Sequence, residues 1–246
     1  MNPGPEISRR GAARIALGFA SGLLMTPRAR AASLQITPIL IEMFGGARTS
    51  TIQVENKGGG ASTIQARAFS WTQVPDDDVL TPTEALAVSP PIFTVPDGGS
   101  QVVRLVLRAA PTAAEQAFRV MLDEIPAPAQ GTAVVVALRV SLPVFVIPPT
   151  AGPPVLKWRL EPESGGRTRI VASNSGGRYV RVTELKLGLS DGRTLTTKLV
   201  GQTPYVLPSS ERHWSVDDSR QSIRPGVTVN LIGTTSAGPL QEKLSL

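Results

Sequence analysis

The sequence predicts an all-β protein built from two immunoglobulin-like β-sandwich domains. After residue 32, apolar residues recur at every second position and β-branched residues are frequent, which is typical of half-buried strands. No window shows the 3.6-residue apolar spacing of an amphipathic helix. About seven short strands are expected in roughly 100 residues on either side of a proline-rich stretch, a strand density that is typical of an immunoglobulin-like sandwich.

Alternation and turn residues place the strands along each half. The turns are marked by clusters such as "ESGG", "NSGG" and "SDG". In the first half we expect strands near residues 34–41, 50–57, 62–72, 101–108, 117–123 and 133–147. In the second half we expect them near residues 155–160, 167–173, 179–189, 194–200, 210–215, 227–232 and 240–245.

The stretch "IPPTAGPP" at residues 147–154 marks the boundary between the two domains. Its four prolines lack the backbone N–H groups that a sheet needs, and they stiffen the connection. The sequence therefore predicts a first domain over residues 32–147, a linker over 148–154 and a second domain over 155–246.

Residues 1–31 have the features of an export signal. Arg9, Arg10 and Arg14 precede an apolar segment over residues 15–25, and Ala-Arg-Ala at 29–31 offers a small-x-small cleavage site. The Arg9-Arg10 pair also fits a twin-arginine signal, but the residues that follow it favour the general secretory route. We therefore expect the mature chain to be exported.

The charge of the mature chain is small. The full chain has a formal net charge of +6, and removal of residues 1–31 takes away five arginines and one glutamate, which leaves +2. Because nucleic-acid binding needs a clustered basic face, no nucleic-acid partner is expected. The sequence has no transmembrane run, so stable membrane insertion is not expected, and it has no cysteine for disulfides or metal ligation.

The longest predicted strand, at residues 133–147, lies within the stretch "TAVVVALRVSLPVFVIP" at residues 132–148 and has an unbroken apolar face. Every even position from Val134 to Val146 is apolar. A strand from Val134 to Val146 would be roughly 43 Å long at about 3.3 Å per residue. Pro143 makes part of it a sheet edge because proline has no N–H. The apolar face either fills the sandwich core or is offered by the edge to a partner that lacks a strand. Such an edge is also a possible site of self-association.

Several stretches, taken in order, resemble the periplasmic chaperones of the chaperone–usher pilus pathway. They are "LQITPILIEM", "STIQVENKGGGASTIQARAFSWTQ", "LAVSPPIFTVPDGGSQVVRLVL", "EQAFRVMLDEIP", "VVVALRVSLPVFVIP" and "TPYVLP". Together they extend over nearly all of the mature chain. The "PVFV" and "WTQ" elements are similar to the archaic, spore-coat-U type branch of this PapD-like superfamily.

The resemblance implies two immunoglobulin-like domains set at an angle, a periplasmic location and a role in pilus assembly. In this family the last strand of the first domain fills the groove of an incomplete pilin subunit, which is called donor-strand complementation. The outer-membrane usher then receives the subunit. By position in the motif, the pilin-facing residues would be Val134, Val136, Leu138, Val140 and also Leu142, unless Leu142 packs within its own domain.

The usual family anchor for the pilin C-terminal carboxylate is absent. That anchor is a pair of basic residues, and the matching positions are Pro38 and Pro143. A replacement cation should lie on the cleft-facing side of a neighbouring strand, because a desolvated carboxylate needs charge-assisted hydrogen bonds. In "AFRVML" the flanking apolar residues have core parity, which places Arg119 on the opposite face. Arg119 is therefore predicted as the anchor, with a solvated surface arginine as the alternative.

Arg104 and Arg139 are weaker candidates for this anchor. Arg104 in "QVVRL" is expected to form a structural ion pair with Glu124 instead. Glu124 also matches a family acid that helps to fix the angle between the domains, but the position of its usual basic partner is Ile147.

Other chemistry has little support in the sequence. His213 is the only histidine, which excludes a multi-histidine metal site and favours a structural or surface role. The carboxylates of "PDDDV" at residues 75–79 lack the ligand spacing of a calcium loop, so a solvated turn is expected. Since no set of nucleophile, base and orienting group is recognisable, no enzyme activity, cofactor or metal is predicted. The alternative function is a structural or adhesive immunoglobulin-like component of the cell surface or of a pilus.

Overall fold

The computed structural model describes residues 33–110, 112–126 and 136–246. Regular structure within these ranges is β-strand apart from one 3-10 turn at Ser164–Gly166. The predicted export signal, Val134 and the start of the longest predicted strand lie outside the described residues. None of these ranges contains a helix of the length and hydrophobicity that a membrane crossing requires. The prediction of an all-β protein is confirmed.

The described chain contains 18 strands. The strands of the first half are β1 (Leu34–Thr37), β2 (Ile41–Phe44), β3 (Thr49–Asn56), β4 (Ser62–Val74), β5 (Asp77–Pro82), β6 (Leu86–Ser89), β7 (Ile92–Val95), β8 (Ser100–Leu107), β9 (Gln116–Ile125) and β10 (Arg139–Ile147). The strands of the second half are β11 (Leu156–Glu163), β12 (Arg167–Asn174), β13 (Val180–Gly188), β14 (Thr194–Val200), β15 (Tyr205–Val206), β16 (Ser210–Val216), β17 (Thr228–Thr235) and β18 (Gly238–Ser245).

The strands of the first half form two sheets that pack into a sandwich. One sheet has the order β1-β3-β8-β6, and the other has the order β2-β10-β9-β4-β5, with β7 also paired to β4. Strands β2 and β10 run parallel, whereas β10 and β9 run antiparallel. Inward-facing side chains of both sheets, such as Ile52, Val103, Val120 and Val144, meet in one buried core. Each buried side chain of this size contributes about 1.5–3 kcal/mol to stability.

The first predicted strand is in fact two strands that belong to different sheets. β1 pairs with β3, and after Pro38 the chain crosses to the other sheet, where β2 pairs with β10. Pro38 cannot donate to a ladder because it has no N–H, so pairing of the first strand ends beside it. The sequence prediction of one strand over residues 34–41 was therefore wrong at this point.

The sequence analysis missed the three strands β5, β6 and β7. They are short, and the prolines at 82, 90 and 91 interrupt the apolar alternation around them. Proline is tolerated at strand ends and sheet edges, where no ladder hydrogen bond is lost. Strand pairing in the folded chain therefore extends into segments that read as loops.

The second half is one sheet that curls around a single core. Its strand order is β11-β12-β16-β14-β13-β17-β18, with β15 paired to β13, and the first and last strands of the order contact each other. Trp158, Trp214, Leu187 and Leu231 are among its buried side chains. The seven strands predicted for this half are all present, and only the two-residue strand β15 was missed.

A third buried cluster joins the two sandwiches. We call it the interdomain seam, and its members are Trp71, Phe145, Ile147, Ala151, Tyr205 and Leu207, with Tyr179 packed against them. The rings of Phe145 and Tyr179 stack at a centroid distance of 3.6 Å. Trp71 meets Tyr205 edge to face at 5.5 Å. Aromatic pairs of this kind add about 0.5–1.5 kcal/mol each beyond the burial of their area.

Candidate partner-binding site

The apolar side chains that precede β10 are exposed. Val136 is 81% exposed and Leu138 is 38% exposed, and both lie before the strand begins at Arg139. Val140 is half-buried and packs against the core of the first sandwich. Leu142 is only 2% exposed and belongs to that core, so its prediction as a pilin-facing residue is corrected. The alternation is continuous in sequence, but its environment changes between Val140 and Leu142.

Strand β10 is paired on both sides at one end only. It pairs with β9 from Arg139 to Val146, but with β2 only from Val144 to Ile147. Within the described part of the chain, no strand pairs with the second edge of residues 139–143. The backbone groups on that edge can therefore accept a strand from another molecule.

Glu124 holds the chain just before β10. Its side chain accepts hydrogen bonds from the Ser62 hydroxyl at 2.8 Å and from the Leu138 N–H at 3.2 Å. Arg104 is exposed on the other sheet, and no ion pair between described residues joins it to Glu124. The predicted Arg104–Glu124 pair is therefore wrong, because the two residues lie on different sheets of the sandwich.

Arg119 lies on the face of β9 that the sequence predicted. Its strand neighbours pack into the core, whereas its guanidinium carbon lies 3.8 Å from the ring centroid of Trp71 and 5.5 Å from that of Tyr205. The alternative of a solvated surface arginine is wrong, because only 5% of Arg119 is exposed. Its Nη2 atom is buried and has no hydrogen-bond partner among the described residues. A buried donor without a partner is costly and is rare in folded proteins.

The electrostatic surroundings of Arg119 change along β9. Burial lowers the pKa of Arg119, and the negative charge of Asp78 partly opposes this effect. On the same face, Asp123 pairs with Arg67 at 2.5 Å and with Arg139. Partial burial alone would raise the pKa of Asp123, but the hydrogen bonds from the two arginines outweigh it, so this pKa is lowered. Arg67 and Arg139 are thus already paired, whereas Arg119 keeps an unused donor.

Asp78 is buried in the seam and is not part of a solvated turn. Its Oδ1 accepts hydrogen bonds from Trp71 Nε1 at 2.8 Å and Gln73 Nε2 at 3.0 Å, and its Oδ2 accepts one from Thr203 Oγ1 at 2.6 Å. Asp78 also forms an ion pair with Arg212, which is 0% exposed. The prediction of a solvated "PDDDV" turn is therefore wrong for this residue.

The adjacent Asp76 also faces the second sandwich. Its Oδ1 lies 2.5 Å from Nδ1 of His213, a buried residue, which agrees with the structural role expected for this histidine. The loops meet closely, since a Cβ on Gly201 would lie 2.7 Å from the carbonyl oxygen of Asp76. Among the described residues, no group of three His, Cys, Asp or Glu side chains is arranged to hold a metal ion.

The sequence analysis missed the seam residues Trp71 and Tyr205. It also missed the ion pair of Asp78 and Arg212 beside the seam. One signal was available, because Arg212 has the same parity in "SERHWSV" as the core residue Trp214. A charged residue at an inward position of a strand indicates a buried ion pair. The sequence offered no comparable signal for Asp78.

Glu115 forms a second polar link between the sandwiches. Its carboxylate oxygens lie 3.1 and 3.2 Å from the backbone N of Tyr179, which donates to them. The Tyr179 hydroxyl donates to Glu42 at 2.8 Å. Burial raises the pKa of Glu115 to about 7, with a smaller opposing effect from the Tyr179 N–H.

The free energy of unfolding is expected to fall between about pH 5 and pH 8, because Glu115 loses its proton in the folded protein over this range. The unfolded carboxyl ionises near pH 4.5 and the folded one near pH 7. The contribution is therefore fully present below pH 4.5 and is lost as the pH rises through 7. Glu115→Gln removes this titration, so its melting temperature at pH 8 should exceed that of the wild type by about 4 °C.

Melting curves at pH 5, 6, 7 and 8 test this prediction. Glu84→Gln is the matched control, because the Glu84 side chain is almost fully exposed. The prediction is contradicted if the melting temperature of the wild type at pH 8 is equal to or higher than that of Glu115→Gln.

Residues 33–152 match the sequence model of a family described as pili and flagellar-assembly chaperones, PapD N-terminal domain. The first sandwich of this chain is therefore similar to the N-terminal domain of PapD-like chaperones. The matched range includes both sheets of the first sandwich and all of β10. The strand with the half-open edge therefore belongs to the part of the chain that matches the family model.

Three relatives illustrate the likeness. Chaperone protein FaeE of Escherichia coli is 27% identical over 194 residues, which is 78% of this chain and 63% of FaeE, so the chain spans less than two thirds of that relative. A chain of the CsuC-CsuE chaperone-tip adhesion subunit pre-assembly complex, from archaic chaperone-usher Csu pili of Acinetobacter baumannii, is 22% identical with a TM-score of 0.65. The YadV chaperone is 17% identical with a TM-score of 0.62.

The two structures show that this chain has the fold of those chaperones. The Csu match covers 87% of this chain and 99% of the other, and the YadV match covers the same shares. The alignment therefore extends through both sandwiches, and the predicted two-domain immunoglobulin-like architecture is confirmed.

Proposed function

We propose that the protein is a periplasmic chaperone that binds pilin subunits by donor-strand complementation and delivers them to an outer-membrane usher. The observation that carries this proposal is the environment of residues 136–143, where exposed apolar side chains lead into a strand with one unpaired edge. A subunit that lacks a strand offers the complementary groove and edge. The match of residues 33–152 to the chaperone family model and the fold shared with a chain of the Csu chaperone complex support the same function.

The division of the chain that we propose follows from this function. Residues 1–31 direct export, residues 32–147 form the pilin-binding domain, residues 148–154 form the linker and residues 155–246 form the second domain. The sheets agree with this division, because the first two sheets end at Ile147 and the third begins at Leu156. Export through the inner membrane would place the mature chain in the periplasm, where pilins emerge.

The proposed donor residues are Val134, Val136, Leu138 and Val140. A pilin groove that buried all four side chains would gain about 6–12 kcal/mol, at about 1.5–3 kcal/mol each, before the costs of association. Leu142 and Val144 serve a different purpose, because their burial in the core fixes the base of the strand. Val136 and Leu138, which precede this base, are exposed.

Arg119 is the proposed anchor for the C-terminal carboxylate of the pilin. Its buried Nη2 lacks a partner among the described residues, and the other two arginines on that face are paired with Asp123. A carboxylate would supply the missing acceptor in a charge-assisted hydrogen bond. This contact would set the register in which the pilin lies along β10.

Leu138→Asp is expected to reduce pilin capture at least tenfold while leaving the chaperone folded, because a charge would enter an apolar groove. The mature chain is co-expressed with a pilin encoded in the same operon, and the soluble pilin recovered on the tagged chaperone is measured. Val102→Asp is the matched control, since Val102 is also apolar and exposed but lies on the other sheet. Full capture by Leu138→Asp, or equal losses in both variants, would refute the donor-strand proposal.

The alternative of a pilus subunit has less support in the structure. Both halves of the described chain have a buried core enclosed by their own strands, whereas a subunit of this kind would lack one strand. Cell fractionation separates the two functions. We expect the protein in the periplasmic fraction and not in fibres sheared from the cells.

A further inference from the structure

Two aromatic rings, one from each sandwich, hold the guanidinium of Arg119. The Trp71 ring belongs to β4, and its centroid lies 3.8 Å from the guanidinium carbon. The Tyr205 ring belongs to β15, and its centroid lies 5.5 Å away. The position of Arg119 therefore depends on both sandwiches, although Arg119 itself belongs to the first.

Each of these two aromatic residues is hydrogen-bonded to one partner of a single buried ion pair, Trp71 through its ring and Tyr205 through its backbone. The indole N–H of Trp71 donates to Asp78, and Nε of Arg212 donates to the carbonyl oxygen of Tyr205 at 3.2 Å. Asp78 and Arg212 form the ion pair. Because both charges are buried, they strongly favour the geometry in which they remain paired.

Two neutral side chains complete this arrangement. Gln73 Nε2 lies 3.0 Å from Asp78 Oδ1 and 3.0 Å from the carbonyl oxygen of Tyr205, and Thr203 donates to Asp78 from the second sandwich. The carboxylate of Asp78 thus accepts donors from both sandwiches. A buried carboxylate with this many partners is held in one orientation.

We propose that Asp78 and Arg212 are positioning residues that set the place of Arg119 in the seam, acting through Trp71 and Tyr205. The inference rests on the proposed function of Arg119 as the carboxylate anchor. The Asp78–Arg212 pair also joins the two domains, a role that the sequence analysis considered for Glu124, whose side chain is engaged by Ser62 and Leu138. Asp78 neutralises Arg212 and leaves Arg119 as the cation available to a ligand.

Arg212 is less suited than Arg119 to contact a pilin carboxylate directly. Its Nη1 also lacks a partner among the described residues, but the side chain is 0% exposed and already paired with Asp78. A Cβ on Gly201 would lie 3.2 Å from this Nη1 and 2.7 Å from the backbone of Asp76, so two loops enclose the atom. Arg212 therefore supports the position of Arg119 and does not contact the ligand itself.

A double-mutant cycle tests the proposal. The affinity of the purified chaperone for the pilin of the same operon is measured for Asp78→Asn, Arg119→Ala and the combination of both. Asp78→Asn is expected to weaken binding about tenfold in the wild-type background and to cause no further loss in the Arg119→Ala background. Equal losses in both backgrounds would mean that Asp78 does not act through Arg119, and the proposal would be overturned.

A matched control and a second variant guard against a general loss of folding. Asp77→Asn removes a charge from the exposed neighbour of Asp78 and should bind like the wild type. Asp78→Asn leaves Arg212 buried without its counterion, so Asp78→Asn combined with Arg212→Met removes both charges. This double variant should fold and should show the same tenfold loss; wild-type affinity in it overturns the proposal.

The side-chain Nε–Hε NMR signal of Arg119 separates this proposal from the proposed function. The signal is assigned by its absence in Arg119→Lys. It should shift in Asp78→Asn and stay in place in Asp77→Asn; a signal that does not move in Asp78→Asn overturns the positioning role. If the signal moves but Arg119→Ala captures pilin normally, the carboxylate anchor is wrong and the positioning of Arg119 stands.

Discussion

Arg119→Ala is expected to weaken binding of the pilin strongly while the chaperone remains folded. The substitution removes the buried cation that we propose binds the pilin carboxylate. Losing one partner of a buried charged contact costs about 2–5 kcal/mol, which is a loss of affinity of at least about thirtyfold. The measurement is the dissociation constant for the purified pilin, with circular dichroism as the check on folding.

Two comparisons make this test specific for the carboxylate. Arg104→Ala removes an exposed arginine from the other sheet and should leave affinity unchanged. Extending the pilin by two C-terminal glycines moves its carboxylate, and this should weaken binding to the wild type but not to Arg119→Ala. If the extension weakens binding to both proteins equally, Arg119 is not the anchor.

Leu142→Asp is expected to prevent folding of the first domain. Leu142 lies in the core at 2% exposure, and a carboxylate there would be buried without a partner. The milder Leu142→Ala should lower the free energy of unfolding by about 2–5 kcal/mol, because it leaves a cavity. Chemical denaturation of the purified mature chain measures this change.

Leu138 provides the matched control for Leu142. The two leucines share one strand parity and are four residues apart, but Leu138 is 38% exposed. Leu138→Ala should therefore change the free energy of unfolding by less than about 1 kcal/mol. Similar losses of stability at both positions would contradict this prediction, because they would show that Leu138 is also part of the core.

The fold could be predicted from the sequence wherever local pattern decides the structure. Period-two alternation placed the strands of the second half, and the parity of "AFRVML" correctly placed Arg119 away from the core. The first two sheets end at Ile147, directly before the prolines of the predicted linker. These features depend on neighbouring residues alone, so a single sequence contains them.

The rest depends on contacts between distant segments. The same alternation continues through Leu138 and Leu142, so the sequence cannot reveal that only the latter is covered by the opposite sheet. Asp78 lies in a run of three aspartates, and it is buried only because Thr203 and Arg212 of the second sandwich come to it. Arg104 and Glu124 looked complementary, but the strand order assigns them to different sheets.

The uneven pairing of β10 bears on which subunits one chaperone can serve. The strand pairs with two neighbours over Val144–Val146, has one neighbour over Arg139–Pro143 and is preceded by exposed residues. The pairing of β10 within its own domain therefore does not fix how many of its residues an incoming strand must pair with. On the proposed function, subunits with shorter or longer grooves would dock on the same edge, so selectivity would come from the buried end of the cleft, near Arg119.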